Sequence, residues 1–137
     1  MLKRGFVVND SEGAVVRFGP ELKDKLDRQS DGNNRKEVLL WAREAVRRGE
    51  KKIQMQNGEE RVIYGKVFRE SEKDKGVLVI VDAEDSYAFN LYQIRPEGLA
   101  KKLRNRERLE SGEQPPVEVL EAFAPLLTAS HEFLVYD

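Results

Sequence analysis

Alternating apolar and polar residues predict two short strands at the start of the chain. Phe6 and Val8 alternate with polar or flexible neighbours in 2–8, and 14–18 is a second short apolar segment. The residues between these segments, 9–13, are of the types favoured in turns. The pattern therefore predicts a hairpin of strands 2–8 and 14–18.

Helical spacing replaces this alternation in the next 30 residues. Leu22 and Leu26 are four residues apart and predict a short helix over 20–29 with one buried stripe. A longer helix is predicted over 35–48, because its apolar residues recur at three- and four-residue intervals. These residues are Val38, Leu39, Leu40, Trp41, Ala42, Ala45 and Val46. We expect this helix to bury its tryptophan against the sheet that follows.

Four strands predict an antiparallel meander over 51–94. Ile53 and Met55 alternate with polar residues, and Asn57-Gly58 is a strong signal for a two-residue hairpin turn. The later strands are predicted at 60–69, 77–81 and 86–94. The middle one of these is apolar throughout, as is typical of a strand covered on both faces. In the last one, we expect a single face to carry Tyr87, Phe89 and Leu91.

Two helices and a linker are predicted after the meander. One helix spans about 99–109, and 111–116 is the linker. The last helix begins at Pro116, and Pro125 is expected to kink or shorten it. Its apolar side consists of Val119, Leu120, Phe123, Leu126 and Leu127. The segment 132–136 is predicted to return to the sheet as an edge strand.

These elements predict an α+β fold. We expect an antiparallel β-meander with helices packed on one face, preceded by an N-terminal hairpin or ribbon and two helices. The predicted division is an N-terminal unit, 1–50, and a sheet with C-terminal helices, 51–137. One single domain over 1–137 is the alternative.

Composition narrows the class of protein. The chain has 137 residues, of which 39% are hydrophobic and 36% charged, with a formal net charge of −1. It has no cysteine, which excludes disulfides and cysteine-ligated metals. It has no apolar run of the ~18 residues that a membrane-spanning helix needs, and it lacks an apolar N-terminal signal. We therefore expect a cytoplasmic protein without a membrane partner.

The motifs of common enzymes are missing from the sequence. There is no glycine-rich phosphate loop, no pair of metal-binding histidines and no nucleophile elbow, and the one histidine, His131, stands alone. Asp82, Glu84 and Asp85 follow an apolar strand, where nucleases hold Mg²⁺, but a polar turn is the favoured interpretation. We expect no enzymatic activity, no metal and no cofactor, with a metal-dependent nuclease as the remote alternative.

Charge is distributed unevenly along the chain, with basic segments at 35–52 and 101–108 and an acidic one at 111–137. A helix so rich in cations can contact phosphates. Its basic residues are Lys101, Lys102, Arg104, Arg106 and Arg108. Aromatic residues on the preceding strand could stack on bases, although packing in the core is the favoured interpretation.

Residues 14–48 resemble the ribbon-helix-helix family of small bacterial repressors and antitoxins. The resemblance is carried by a short strand with Arg17, a helix with Leu22 and Leu26, and the run from Asn34 to Ala42. It implies a dimer whose two strands pair and enter the DNA major groove. It further implies that Val15 and Arg17 face the bases, and that phosphate is held by Asn34, Arg35 and Lys36.

Two functions follow from the sequence. The first is a non-enzymatic DNA-binding regulator that acts as a dimer and binds a partner or effector through its C-terminal region. The second is a small protein-binding accessory or inhibitor protein with no nucleic-acid binding. The partners to test are therefore duplex DNA, another protein and a second copy of the chain.

Overall fold

Six strands and two helices with defined bounds make up the computed structural model, which describes residues 6–19, 22, 35–70, 73–95, 99, 103–104 and 115–130. The strands are β1 (Phe6–Asn9), β2 (Val15–Phe18), β3 (Glu50–Gln56), β4 (Glu59–Glu70), β5 (Lys73–Asp82) and β6 (Tyr87–Ile94). The helices are α1 (Arg35–Arg48) and α2 (Val117–Ser130). The prediction of a helix over 35–48 is confirmed, with Arg47 and Arg48 in its last turn, where cations oppose the helix dipole.

All six strands belong to one mixed sheet in the order β1-β2-β6-β5-β4-β3. Strands β3 to β6 pair antiparallel in chain order, and β1 pairs antiparallel with β2. Strand β2 then lies parallel to β6, with Arg17 opposite Tyr87 and Phe18 opposite Ala88. The N-terminal strands therefore extend the sheet formed by the rest of the chain.

Both faces of the sheet are buried, each by a different helix. The α1 face, named for the helix that covers it, buries Tyr64, Phe68 and Val79 against Trp41 and its helical neighbours. The α2 face buries its own set of strand residues against the C-terminal helix, namely Ile63, Val67, Leu78 and Ile80 against Val119, Leu120 and Phe123. Strand β5 supplies both cores because its run Val77–Val81 is apolar at every position.

The predicted fold class is wrong. The sheet is mixed rather than antiparallel, and its two helices pack on opposite faces rather than on one. A ribbon-helix-helix arrangement is also excluded, because β2 is hydrogen-bonded to β1 on one side and to β6 on the other. A ribbon needs a free strand edge for a second chain, and β2 has none. Helical periodicity shows which residues are buried, but not which face of a sheet covers them.

Local irregularity in β6 overturns a second expectation. Ile80 pairs with Asn90 while Val81 pairs with Ala88, so Phe89 is an extra residue in the ladder. This bulge turns Phe89 to the α2 face while Leu91 faces α1. Tyr87, Phe89 and Leu91 therefore do not share one face. Strict alternation fails wherever one residue is inserted into one strand only.

Tight packing determines two further features. Trp41 is 2% exposed and stacks on Phe68 with a centroid distance of 5.8 Å, which confirms the predicted burial. On the opposite face, Gly65 makes room for the ring of Phe123, because a Cβ at Gly65 would collide with it. Helix α2 runs through Pro125 to Ser130, so the proline does not shorten it.

Some predicted elements lie wholly or mainly outside the described residues. They are the helices 20–29 and 99–109, the linker 111–116 and the strand 132–136. Leu22 and Leu99 are described, and both are buried helical residues. Within the described part of the chain, the helices are too short or too polar to cross a membrane.

Candidate protein-interaction edge

Most of the predicted DNA-contacting side chains lie outside the described residues. Those of Asn34, Arg35, Lys36, Lys101, Lys102 and Arg108 are in this group, although the backbone of residues 35 and 36 forms the start of α1. Arg104 is described as an exposed helical residue. Arg17 is exposed on β2, and its Nη2 donates a hydrogen bond of 3.0 Å to the carbonyl oxygen of Asp85. The structure therefore joins Arg17 to the β5–β6 turn.

Carboxylates of the β5–β6 turn are engaged in local structure. Asp82 accepts hydrogen bonds from the backbone of Glu84 at 2.9 Å and from Arg61 at 3.0 Å. Asp85 accepts one from the backbone of Tyr87 at 3.0 Å. The two bonds from backbone nitrogens are the side-chain-to-backbone contacts by which Asp stabilises turns. Among the described residues, no three potential metal ligands converge here or elsewhere.

A buried polar cluster holds the β1–β2 hairpin to the rest of the sheet. Asp10 Oδ1 accepts from the backbone nitrogens of Glu12 and Ala14 at 2.9 and 2.8 Å. Its Oδ2 accepts from Lys51 Nζ at 2.9 Å and from the Tyr64 hydroxyl at 2.8 Å. Every lone pair that the carboxylate needs to satisfy has a donor, so the cluster is a structural junction.

The hydrogen bonds in this cluster control its ionisation. Burial alone would raise the pKa of Asp10, but the hydrogen bonds from Lys51, Tyr64 and the backbone of Ala14 and Glu12 together outweigh it and lower the pKa to about 2. The pKa of Lys51 is raised, because its ammonium donates to Glu12 and to Asp10. Burial, together with the hydrogen bond to Asp10, raises the pKa of Tyr64. The cluster is therefore an ion pair across the whole physiological pH range.

Sequence reasoning missed this cluster. Asp10 was predicted only as part of a turn, and Lys51 and Tyr64 only as strand residues. Asp10 is separated along the chain from Lys51 by 41 positions and from Tyr64 by 54. A polar residue at the turn was the available signal, but its partners are defined only when β3 and β4 lie beside the hairpin.

The open side of β3, which we call the β3 edge, is the most exposed apolar feature of the described residues. Among the described strands, β3 is the last of the sheet and pairs with β4 alone. Ile53 is 56% exposed and Met55 is 60% exposed. Both side chains lie on the α1 face of the sheet, at a position that helix α1 does not cover. Their alternation with polar residues predicted a strand, and the place of β3 at the end of the described sheet leaves both side chains in solvent.

Hairpin geometry shows which backbone groups of β3 face outward. Asn57 and Gly58 form a two-residue turn with φ of 53° and 80°, so Gln56 and Glu59 are a hydrogen-bonded pair. Hydrogen-bonded and non-hydrogen-bonded pairs then alternate along the ladder. It follows that the outward N–H and C=O groups belong to Lys51, Ile53 and Met55.

The β3 edge lacks two of the usual protections against strand pairing. The strand has no proline, and its seven pairs with β4 run without a bulge from Glu50 to Gln56. Lys51 points into the Asp10 cluster and is only 24% exposed, so it does not shield the edge. Lys52 is exposed on the α2 face, beside Gln54, whose Nε2 donates to the carbonyl oxygen of Glu118 at 3.0 Å.

Other exposed apolar residues do not form a comparable edge. Val7 and Val15 lie on the short strands β1 and β2, with Arg17 and Asn9 opposite them in the ladder. Leu40 lies alone on the solvent face of α1, near Arg43. Among the described residues, only β3 has both alternate exposed apolar side chains and a long, regular strand whose outer edge is open.

Comparison with known proteins adds no family. The sequence matches no model of a known protein family and no curated protein.

Proposed function

We propose that this chain is a non-enzymatic protein-interaction module that binds an extended segment of its partner along the β3 edge. Strand addition of this kind takes its affinity from backbone hydrogen bonds and its specificity from alternate side chains. The observation that carries the proposal is the pair Ile53 and Met55, alternate and more than half exposed on an open strand. An exposed apolar edge strand is a template for pairing with another strand.

The surroundings of the edge define the chemistry of the segment. A strand added beside β3 would place every second side chain against Ile53 and Met55, so these positions should be apolar. The other positions would face the side of Lys52, where acidic or amide side chains are favoured. We therefore expect an extended segment with alternate apolar residues and at least one Asp or Glu.

DNA recognition by a ribbon of two paired β2 strands is not proposed, because β2 is already paired on both sides. DNA binding by the basic segments stays a prediction. A mobility-shift assay across salt tests it, since phosphate contacts make binding steeply salt-dependent.

Selection from a displayed library of random heptapeptides tests the proposed function. We expect the full chain to enrich sequences with apolar residues at alternate positions. Met55→Lys should weaken binding of an enriched peptide at least tenfold, and Leu40→Lys, on α1, should leave it unchanged. Methylating backbone nitrogens of the peptide that face β3 should abolish binding, because those groups donate to the strand. Enrichment that ignores Met55, or no enrichment, would contradict strand addition.

A further inference from the structure

We infer that the segment bound along the β3 edge is β3 of a second copy of this chain, so that two sheets join edge to edge about a twofold axis. The inference rests on the proposed function and names its partner. Strand β3 itself has the required chemistry, with apolar residues at 53 and 55 and with Glu50, Gln54 and Gln56 among the alternate positions.

Hydrogen bonding restricts how two copies can pair. The outward groups of one β3, those of Lys51, Ile53 and Met55, must meet the outward groups of the other. A twofold axis must then pass through a single residue of β3. An axis through Lys51 or Lys52 would set the same lysine of both chains face to face, which is unfavourable. An axis through Glu50, Met55 or Gln56, near an end of the strand, would pair fewer residues of β3, so the axes through Ile53 and Gln54 remain.

The axis through Gln54 buries the exposed apolar residues best. It places Ile53 of each chain directly opposite Met55 of the other on the α1 face. Val62, which pairs with Ile53 and is packed against the α1 core, extends the same row. With the axis through Ile53, each Met55 would instead face Lys51, whose ammonium is held by Asp10 and Glu12.

Charge on the α2 face is also complementary in this register. Lys52 of one chain lies opposite Gln56 of the other, and Gln56 pairs within its own chain with Glu59. Lys52 and Glu59 are both exposed and lie in one row, separated by two strand spacings, or about 10 Å. The twofold axis creates this row of opposite charges twice. Glu59 also binds Arg61 at 2.6 Å, so its carboxylate would bridge two cations.

Amide side chains meet at the axis itself. Gln54 would face Gln54 of the second copy as a close, non-hydrogen-bonded pair. Among the described atoms, Gln54 Oε1 accepts no hydrogen bond and Gln56 Nε2 donates none. A second copy brings matching amide groups to the same face.

A single-strand interface of this kind is small, so we expect a dissociation constant in roughly the micromolar range. Sedimentation equilibrium of the full chain from about 1 μM to 1 mM spans this range. The mass should rise with concentration to twice the 15.8 kDa of one chain. Ile53→Lys and Met55→Lys should each weaken dimerisation at least tenfold, and Leu40→Lys should not. Far-UV circular dichroism and Trp41 fluorescence check that each variant is folded.

Cysteine cross-linking tests the register, because the natural chain has no cysteine. Gln54→Cys places one thiol on the axis in each chain, at a separation that suits a disulfide. We expect oxidation to give covalent dimers from this variant, and few from Leu40→Cys. Cross-linking that is stronger for Ile53→Cys than for Gln54→Cys would overturn the Gln54 axis.

Failure of this inference is distinguishable from failure of the proposed function. A chain that stays monomeric at 1 mM but still binds selected peptides through Met55 would overturn the dimer and keep strand addition. A monomer that binds no peptide would overturn both. A dimer that is unaffected by Ile53→Lys and Met55→Lys would overturn the pairing of two copies along the β3 edge, and peptide binding through Met55 would then decide strand addition separately. If a chain ending at Ser130 dimerises while the full chain does not, the occupant is the chain's own C-terminal segment, and the second copy is excluded.

Discussion

Asp10 is the charged residue that the described structure buries most fully, with its side chain 1% exposed. Its position in a turn follows from the local sequence, but the free energy of burying its carboxylate depends on Lys51 and Tyr64. A buried carboxylate costs free energy unless donors surround it, and here four donors do. The residue therefore ties three separate parts of the chain together.

Replacing Asp10 tests that junction. Asp10→Asn keeps the oxygen that accepts from the backbone but sets an amide group against two donors. We expect the free energy of unfolding at pH 7 to fall by roughly 2–3 kcal/mol. Glu12→Gln, a matched change in the exposed partner of Lys51, should cost under about 1 kcal/mol. Urea unfolding measures both, and equal losses would contradict the central role of Asp10.

The pH dependence of stability follows from the lowered pKa of Asp10. The carboxyl group titrates near 3.8 when unfolded and at about 2 when folded. Its contribution is therefore present above about pH 4 and lost as the pH falls through 2. The difference in unfolding free energy between wild type and Asp10→Asn should shrink between pH 4 and pH 2. A constant difference over that interval would show that the charge of Asp10 does not stabilise the fold.

At the scale of elements, the β3–β4 hairpin sets the edge on which the proposed function depends. Its register is specified by a turn in which both residues have left-handed backbone angles. Asn tolerates this conformation and Gly adopts it without strain. Asn57-Gly58 therefore determines which residues of β3 point outward, and the sequence predicted this turn correctly.

Gly58→Ala isolates the contribution of the turn. A Cβ at this position meets no atom within 4 Å, so only the backbone angle is penalised. We expect a loss of about 1–2 kcal/mol in the free energy of unfolding, measured in urea. Asn57→Gly is the matched control and should be close to neutral. A loss at Gly58 below about 0.3 kcal/mol would mean that the turn does not hold the register.

For the whole molecule, the central question is whether the two faces of the sheet unfold together. Helices α1 and α2 do not share a core, but β4 and β5 contribute residues to both. A shared central strand transmits the loss of packing on one face to the other. We therefore expect one cooperative transition for the described sheet.

Phe123→Ala measures this coupling. Phe123 is fully buried on the α2 face, and removing its ring should cost about 3–5 kcal/mol. The one tryptophan, Trp41, reports on the α1 face. Its fluorescence midpoint in urea should fall together with the midpoint from far-UV circular dichroism. Glu118→Gln, at an exposed position of α2, should shift either midpoint only slightly. A Trp41 transition that does not respond to Phe123→Ala would show that the two faces unfold independently.

What the sequence determined by itself was local. Hydrophobic spacing predicted the helix 35–48 and the burial of Trp41, and two turn residues predicted the β3–β4 hairpin. These features depend on residues a few positions apart, so their backbone preferences and hydrophobic periodicity can be predicted from the sequence. The exposed pair Ile53 and Met55 was visible as an alternation, but not as an edge.

Only the tertiary structure decided how the elements combine. The parallel pairing of β2 with β6, the two helices on opposite faces, the extra residue at Phe89 and the burial of Asp10 all join segments far apart in the chain. Alternation shows which residues of a strand share a face, but it does not predict which strands pair with each other. Which strand ends the sheet depends on all the pairings at once, and so the β3 edge exists only in the folded molecule.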